Sequence, residues 1–84
     1  MPVLSRFYGI IIRMYFQQSE HNPPHIHAIY GEHVAALDIK TRNVLEGHLP
    51  GKALELVREW MELHEAALAE IWETQNFVSL PPLE

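Results

Sequence analysis

Seven residues, His21-Asn22-Pro23-Pro24-His25-Ile26-His27, bring three imidazoles and a stiff Pro-Pro corner into one short stretch. Imidazole is the side chain whose unperturbed pKa lies near neutrality, so such a cluster suits proton transfer, metal ligation or pH-gated contact with an anion. The residues leave all three open. For acid–base work, a carboxylate bonded to one ring nitrogen fixes the tautomer and leaves the other nitrogen to take or give a proton. A guanidinium beside it can hold a phosphate. Asp38 and Arg13 supply those groups. RNA cleavage needs little more, because the 2′-OH of the substrate is its nucleophile. One of His25 and His27 would then be general base and the other general acid. Asp38 would be the orienter and Arg13 the phosphate clamp, with Arg6, His21 and His48 as further substrate contacts.

The same spacing admits a metal. His-x-His on one strand face gives two nitrogens to zinc or a similar divalent transition ion, and His21, or else Asp38, Glu46 or His48, would complete the set. The acid–base reading expects no cofactor. A solvated outer sheet face would carry the same residues with no chemistry at all. Asn22-Pro23-Pro24 is most simply a stiff turn into a strand, and Trp60 and Trp72 are most simply packing residues.

Hydrophobic period supplies the elements that hold these groups. Tyr8, Ile10, Ile12, Met14 and Phe16 alternate along a first strand with one buried face, and Arg13 lies on the other. Ile26, Ala28 and Tyr30 repeat the pattern in a second strand, with His25 and His27 turned away. Gly31-Glu32 suits a tight hairpin into a third strand that buries Ala35, Leu37 and Ile39. With that two-residue turn, Tyr30 opposes His33, Ala28 opposes Ala35, Ile26 opposes Leu37, and His25 falls across from Asp38. A turn over Lys40 to Asn43 leads to a fourth strand with Leu45 and Leu49 buried and Glu46 and His48 exposed.

Pro50 then opens an amphipathic segment. Ala53, Val57, Trp60, Met61, His64, Ala67, Leu68, Ile71 and Trp72 share one side, and most of the glutamates share the other. A straight helix of that length would run about 35 Å, against about 20 Å for a six-residue strand. It must bend, overhang or meet another chain, and a kink near His64 to Ala66 would let both halves cover the sheet. The expected fold is therefore α+β: a four-stranded antiparallel meander over 8–49 with one long or kinked helix, or two, over 50–76. An apolar tail over 77–84 completes one domain and hints at docking.

The chain has 84 residues, which bounds the core to a modest size that a partner or a second copy would help to stabilise. Cysteine is absent, so neither disulfides nor thiolate metal sites staple it, and a reducing cytoplasm is allowed. Apolar runs fall far short of the roughly 20 residues of a membrane span, so no membrane partner is expected. Net charge is −5. Residues 1–52 carry five Lys/Arg against four Asp/Glu, whereas residues 53–84 carry Arg58 alone against seven glutamates. Phosphate contact must therefore use the first part. No phosphate-binding glycine loop, dinucleotide turn, Gly-x-Ser-x-Gly elbow or His-Glu-x-x-His is present, and those enzyme classes drop out.

Five blocks together resemble a small bacterial family, DUF4160. They are Ser5-Arg6-Phe7-Tyr8-Gly9-Ile10, His21 to His27 with Tyr30-Gly31, Asp38-Ile39, Glu46-Gly47-His48-Leu49-Pro50, and Glu59-Trp60 with Leu63-His64. Members usually have an aspartate where this chain has Glu20, and commonly an aromatic where Ile26 stands. The resemblance implies a toxin-antitoxin arrangement in which a second small protein, of the DUF2442 type, is the cognate partner and this chain the toxin-like one. It implies no settled reaction. Joined to the residues, the leading expectation is a cytoplasmic, metal-independent ribonuclease of toxin type. A non-enzymatic module whose sheet face or apolar tail docks a partner protein, and a His-ligated metalloprotein, are the alternatives.

Overall fold

The computed structural model describes residues 3–14 and 23–84. Five strands form one antiparallel sheet in chain order, followed by two helices: β1 (Val3–Phe7), β2 (Ile10–Arg13), β3 (His25–Tyr30), β4 (His33–Asp38), β5 (Val44–Gly47), α1 (Gly51–Leu63) and α2 (Glu65–Thr74). The α+β meander is as expected, with one strand more. The additional strand, β1, precedes the first one read from the sequence. Its apolar residues do not alternate, because the β1–β2 register shifts between Val3 and Ser5, so Leu4, Ser5 and Phe7 are all buried.

Tyr8 is consequently not a buried strand residue. It and Gly9 form the two-residue turn between Phe7 and Ile10, both at positive φ (49° and 80°), and Tyr8 is 59% exposed. Positive φ at both central positions matches the twist of antiparallel strands, although a tyrosine rarely adopts it. The Gly31-Glu32 hairpin forms as expected, with Tyr30 opposite His33 and His25 opposite Asp38.

One sheet face is the core. Ile10, Ile12, Met14, Ile26, Ala28, Ala35, Leu37 and Ile39 meet Ala53, Val57, Trp60, Met61, Leu68 and Ile71 of the helices there, all nearly inaccessible to solvent. The single helical segment is two helices. At His64 the backbone leaves helical geometry (φ −117°, ψ 21°), and its N–H is shared between the Trp60 and Met61 carbonyls. The bend falls where helix length exceeds sheet width. The tail folds back on its own chain: the Leu80 N–H donates to the Leu4 carbonyl at 2.7 Å, and the Trp60 indole N–H donates to the Pro81 carbonyl at 2.8 Å. Leu83 is buried with them. The tail thus covers the β1 edge, which would otherwise present unpaired backbone groups.

Leu45 departs from expectation. It is 46% exposed, because β5 pairs Glu46 with Ala36 and Val44 with Leu37, leaving Leu45 as the extra residue of a bulge. A bulge sets two consecutive side chains free of strict alternation. Gly47 makes this path practicable: its φ is +84°, and a Cβ there would lie 2.1 Å from the Val34 carbonyl oxygen.

Candidate functional site

Residues directly opposed across an antiparallel ladder share a face, so the registers define a transverse row on the face away from the core. Val3 opposes Arg13, Arg13 opposes His27, His27 opposes Ala36, and Ala36 opposes Glu46. Arg13, His27 and Glu46 thus belong to one line across four strands, with Ala36 as its low point. A hollow of about 190 Å³ opens there, lined by Pro23, His25, His27, Ala36, Leu45 and Glu46. A neighbouring hollow shares His27, Ala36 and Glu46. The bulge puts Leu45 and Glu46 on this wall together.

The His25 and His27 rings are 5.2 Å apart, edge to face. The other side of His25 meets the Trp72 indole, also at 5.2 Å. Trp72 comes from the buried stripe of α2, so a helix residue buttresses the imidazole. Nδ1 of His25 lies 2.8 Å from the Pro23 carbonyl oxygen. A carbonyl only accepts, so Nδ1 carries the hydrogen and Nε2 is left for other partners. The Pro-Pro corner therefore sets the tautomer as well as the path of the chain.

Asp38 faces His25 in the ladder, but its carboxylate turns toward the following loop. Oδ1 accepts from the backbone N–H groups of Lys40 at 2.7 Å and Thr41 at 3.0 Å. That loop is tied to both helices: the Arg58 Nε–H donates to the Arg42 carbonyl, and the Arg42 guanidinium pairs with Glu65 at 3.1 Å.

His27 is held below its ordinary pKa of 6.5. Burial is the main cause and the neighbouring His25 adds to it, while Glu46 pulls the other way. Glu46 has no hydrogen bond or ion pair among the described residues, and the Arg13 Nε is buried with none among them. The arrangement provides a half-buried imidazole biased to neutrality, a second imidazole of fixed tautomer, a cation on one side and a carboxylate on the other. Those are the parts of a proton-transfer site for an anionic substrate.

The other sequence candidates scatter. Arg6 is exposed on β1, opposite Ile11, on the same face but two strands from His27. His48 pairs instead with His33, ring centroids 5.8 Å apart. His21, and with it the third ligand of the proposed metal set, lies outside the described residues. Among the described residues, no group of three His, Cys, Asp or Glu side chains is placed to hold a metal ion. No described helix is long and apolar enough to cross a membrane.

Trp72 and Ala36 are site residues that sequence reasoning passes over. The first looks like core and the second like a spacer. Glu46 was within reach only as a member of the wider metal set.

No curated protein and no solved structure matches the chain. One family model does match, over residues 9–73, which takes in β2 to nearly the end of α2 and every member of the transverse row from Arg13 to Glu46. The chain belongs to that family, DUF4160, a domain of unknown function.

Proposed function

We propose that this chain is a metal-independent acid–base enzyme that cleaves RNA, acting as the toxin-like member of a bacterial type II pair with a DUF2442-type protein as its antitoxin. The observation that carries the chemistry is the pair of imidazoles 5.2 Å apart beside a hollow, with Arg13 directly across the ladder from one of them. His27, biased toward its neutral form, takes the proton of the 2′-OH as that oxygen attacks phosphorus. His25 gives a proton from Nε2 to the departing 5′-oxygen. One O–P bond forms, one breaks, and the product ends in a 2′,3′-cyclic phosphate. Arg13 holds the phosphate, and Asp38 keeps the loop beside His25 in place. RNA as substrate puts the protein in the cytoplasm.

The test is cleavage of defined RNAs by protein purified without a histidine tag, with and without EDTA, beside the His25→Ala, His27→Ala double variant. Cleavage that survives EDTA and disappears in the variant supports the reading. Intact RNA, together with undiminished growth inhibition by the variant, would overturn it.

A second reading has its own support. Val34, 46% exposed, stands across the ladder from the half-buried Ile29, which stands across from the half-buried Ile11, and Leu45, also 46% exposed, lines the adjoining hollow. A non-enzymatic module that docks a cognate protein would use such a surface. In that case substitution of the histidines changes complex formation in a pull-down and no turnover is found.

A further inference from the structure

Glu46 is the one ionisable member of the transverse row to which the proposed cleavage gives no role. It stands across Ala36 from His27, and two inter-strand spacings put their Cα atoms about 10 Å apart. Between them the floor is a methyl group. Leu45 and Pro23 add apolar wall, His27 offers an aromatic ring face, and the hollow of about 190 Å³ is smaller than the roughly 300–1,000 Å³ of sites for drug-sized ligands. A flat ring with a polar edge fits that description better than an extended or branched group. Both oxygens of Glu46 are without a hydrogen bond among the described residues, so its carboxylate can take two parallel N–H donors.

The order of groups along the row adds a second constraint. From β5 to β2 it reads carboxylate, apolar floor, imidazole, guanidinium, over about 14 Å of Cα separation. A nucleotide reads in the same order: base edge, base face, ribose hydroxyl, 3′-phosphate. Among the RNA bases, guanine alone presents two adjacent N–H donors, N1–H and N2–H, to a single carboxylate. Uracil offers one donor between two carbonyl acceptors that a carboxylate repels. Cytosine and adenine offer one amino group.

We propose that the hollow over Ala36 is a nucleobase subsite in which Glu46 accepts from N1–H and N2–H of guanine, making the site selective for cleavage after guanosine. This rests on the reading of His27 and Arg13 as the ribose and phosphate contacts. The base is the selectivity element and takes no part in proton transfer.

Equilibrium binding separates the two readings, because guanosine 3′-monophosphate and uridine 3′-monophosphate are not cleaved. Titration of each into the full chain, followed by calorimetry or by shifts of the His27 ring resonances, should show guanosine 3′-monophosphate at least about tenfold tighter, the discrimination of one good bidentate contact. Glu46→Gln keeps the shape and cannot accept both donors, so the two nucleotides should then bind equally. Ala36→Leu fills the floor and should weaken guanosine 3′-monophosphate by a similar factor while circular dichroism stays unchanged. Equal affinities in the wild type, or a preference that survives Glu46→Gln, overturn the subsite. A preference for guanosine in a protein that cleaves no RNA supports the subsite and removes the nuclease reading. Cleavage with no base preference removes the subsite alone.

Discussion

Asp38 stands directly opposite His25 in the β3–β4 ladder, yet its Oδ1 accepts from Lys40 and Thr41 while His25 donates from Nδ1 to Pro23. Neighbouring backbones need not make interacting side chains. Each of these two groups spends a bonding site on its own flanking loop, and what they share is position. The carboxylate that acts electrostatically on His27 is Glu46, two strands away.

Loss of either imidazole should remove one half of the proton transfer. His25→Gln and His27→Gln are each expected to lower RNA cleavage by about 10²–10⁴, the usual contribution of one positioned acid or base. The double variant should lose far less than the product of the two, because the residues act as a unit. Single-turnover rates on one defined oligonucleotide check both statements, and the product ends should be 2′,3′-cyclic.

The His27 titration should respond to its neighbours in opposite directions. His25 lowers its pKa and Glu46 raises it, so His25→Gln should move the His27 ring titration upward and Glu46→Gln should move it downward. Proton NMR of the ring hydrogens reads this without reference to activity. Burial, the largest cause, also links folding to pH. The folded state holds fewer protons on His27 than the unfolded state, so stability rises with pH through this window. The neutral ring's contribution is full above the ordinary pKa of 6.5 and is lost as pH falls below it. Urea denaturation at stepped pH should show a shallower acid decline for His27→Gln than for wild type.

Gly47→Ala should be costly for a surface position. The new Cβ would lie 2.1 Å from the Val34 carbonyl at a φ of +84°, so the strand must shift or the backbone change region. A loss of about 1–3 kcal/mol is expected from the strained backbone alone. Because the β5 path also places Glu46, the variant should lose guanosine preference along with stability. Chemical denaturation and nucleotide titration on one preparation test the pair.

Removal of residues 77–84 takes away the Trp60 to Pro81 and Leu80 to Leu4 hydrogen bonds and the burial of Leu83. Two hydrogen bonds and one buried leucine together amount to about 2.5–6 kcal/mol. The truncated chain should also associate through the uncovered β1 edge, which sedimentation would detect as concentration-dependent mass. Trp60→Phe isolates the indole contribution and should cost about 1 kcal/mol through the lost N–H donor, beyond any change in packing.

The register that sets His25 against Asp38 was legible because two quantities determine it: the parity of the apolar positions and the length of the Gly31-Glu32 turn. The break near His64 was legible from length, since a helix over 53–75 outruns the sheet it covers. Tyr8-Gly9 was not. Its residues lack the usual turn signature, and Tyr8 happens to continue the alternation of Ile10 and Ile12 while belonging to a different element. Leu45 was misplaced for a related reason: alternation presumes one residue per ladder position, and a bulge breaks that presumption without a mark on the residue concerned. The contact of Trp72 with His25 joins residues 47 positions apart through the packing of α2. No local pattern encodes it. The sequence pointed to the histidines, and the strand registers showed which carboxylate joins them.

The seam between Leu4 and Leu80 has a temporal consequence. A contact spanning so much of the chain carries a large loop-closure cost and cannot exist on the ribosome until residue 80 has emerged. The first strand therefore waits with one flank bare until then. Closure of that edge follows the rest of the sheet, and it depends on the segment around residue 80 arriving intact.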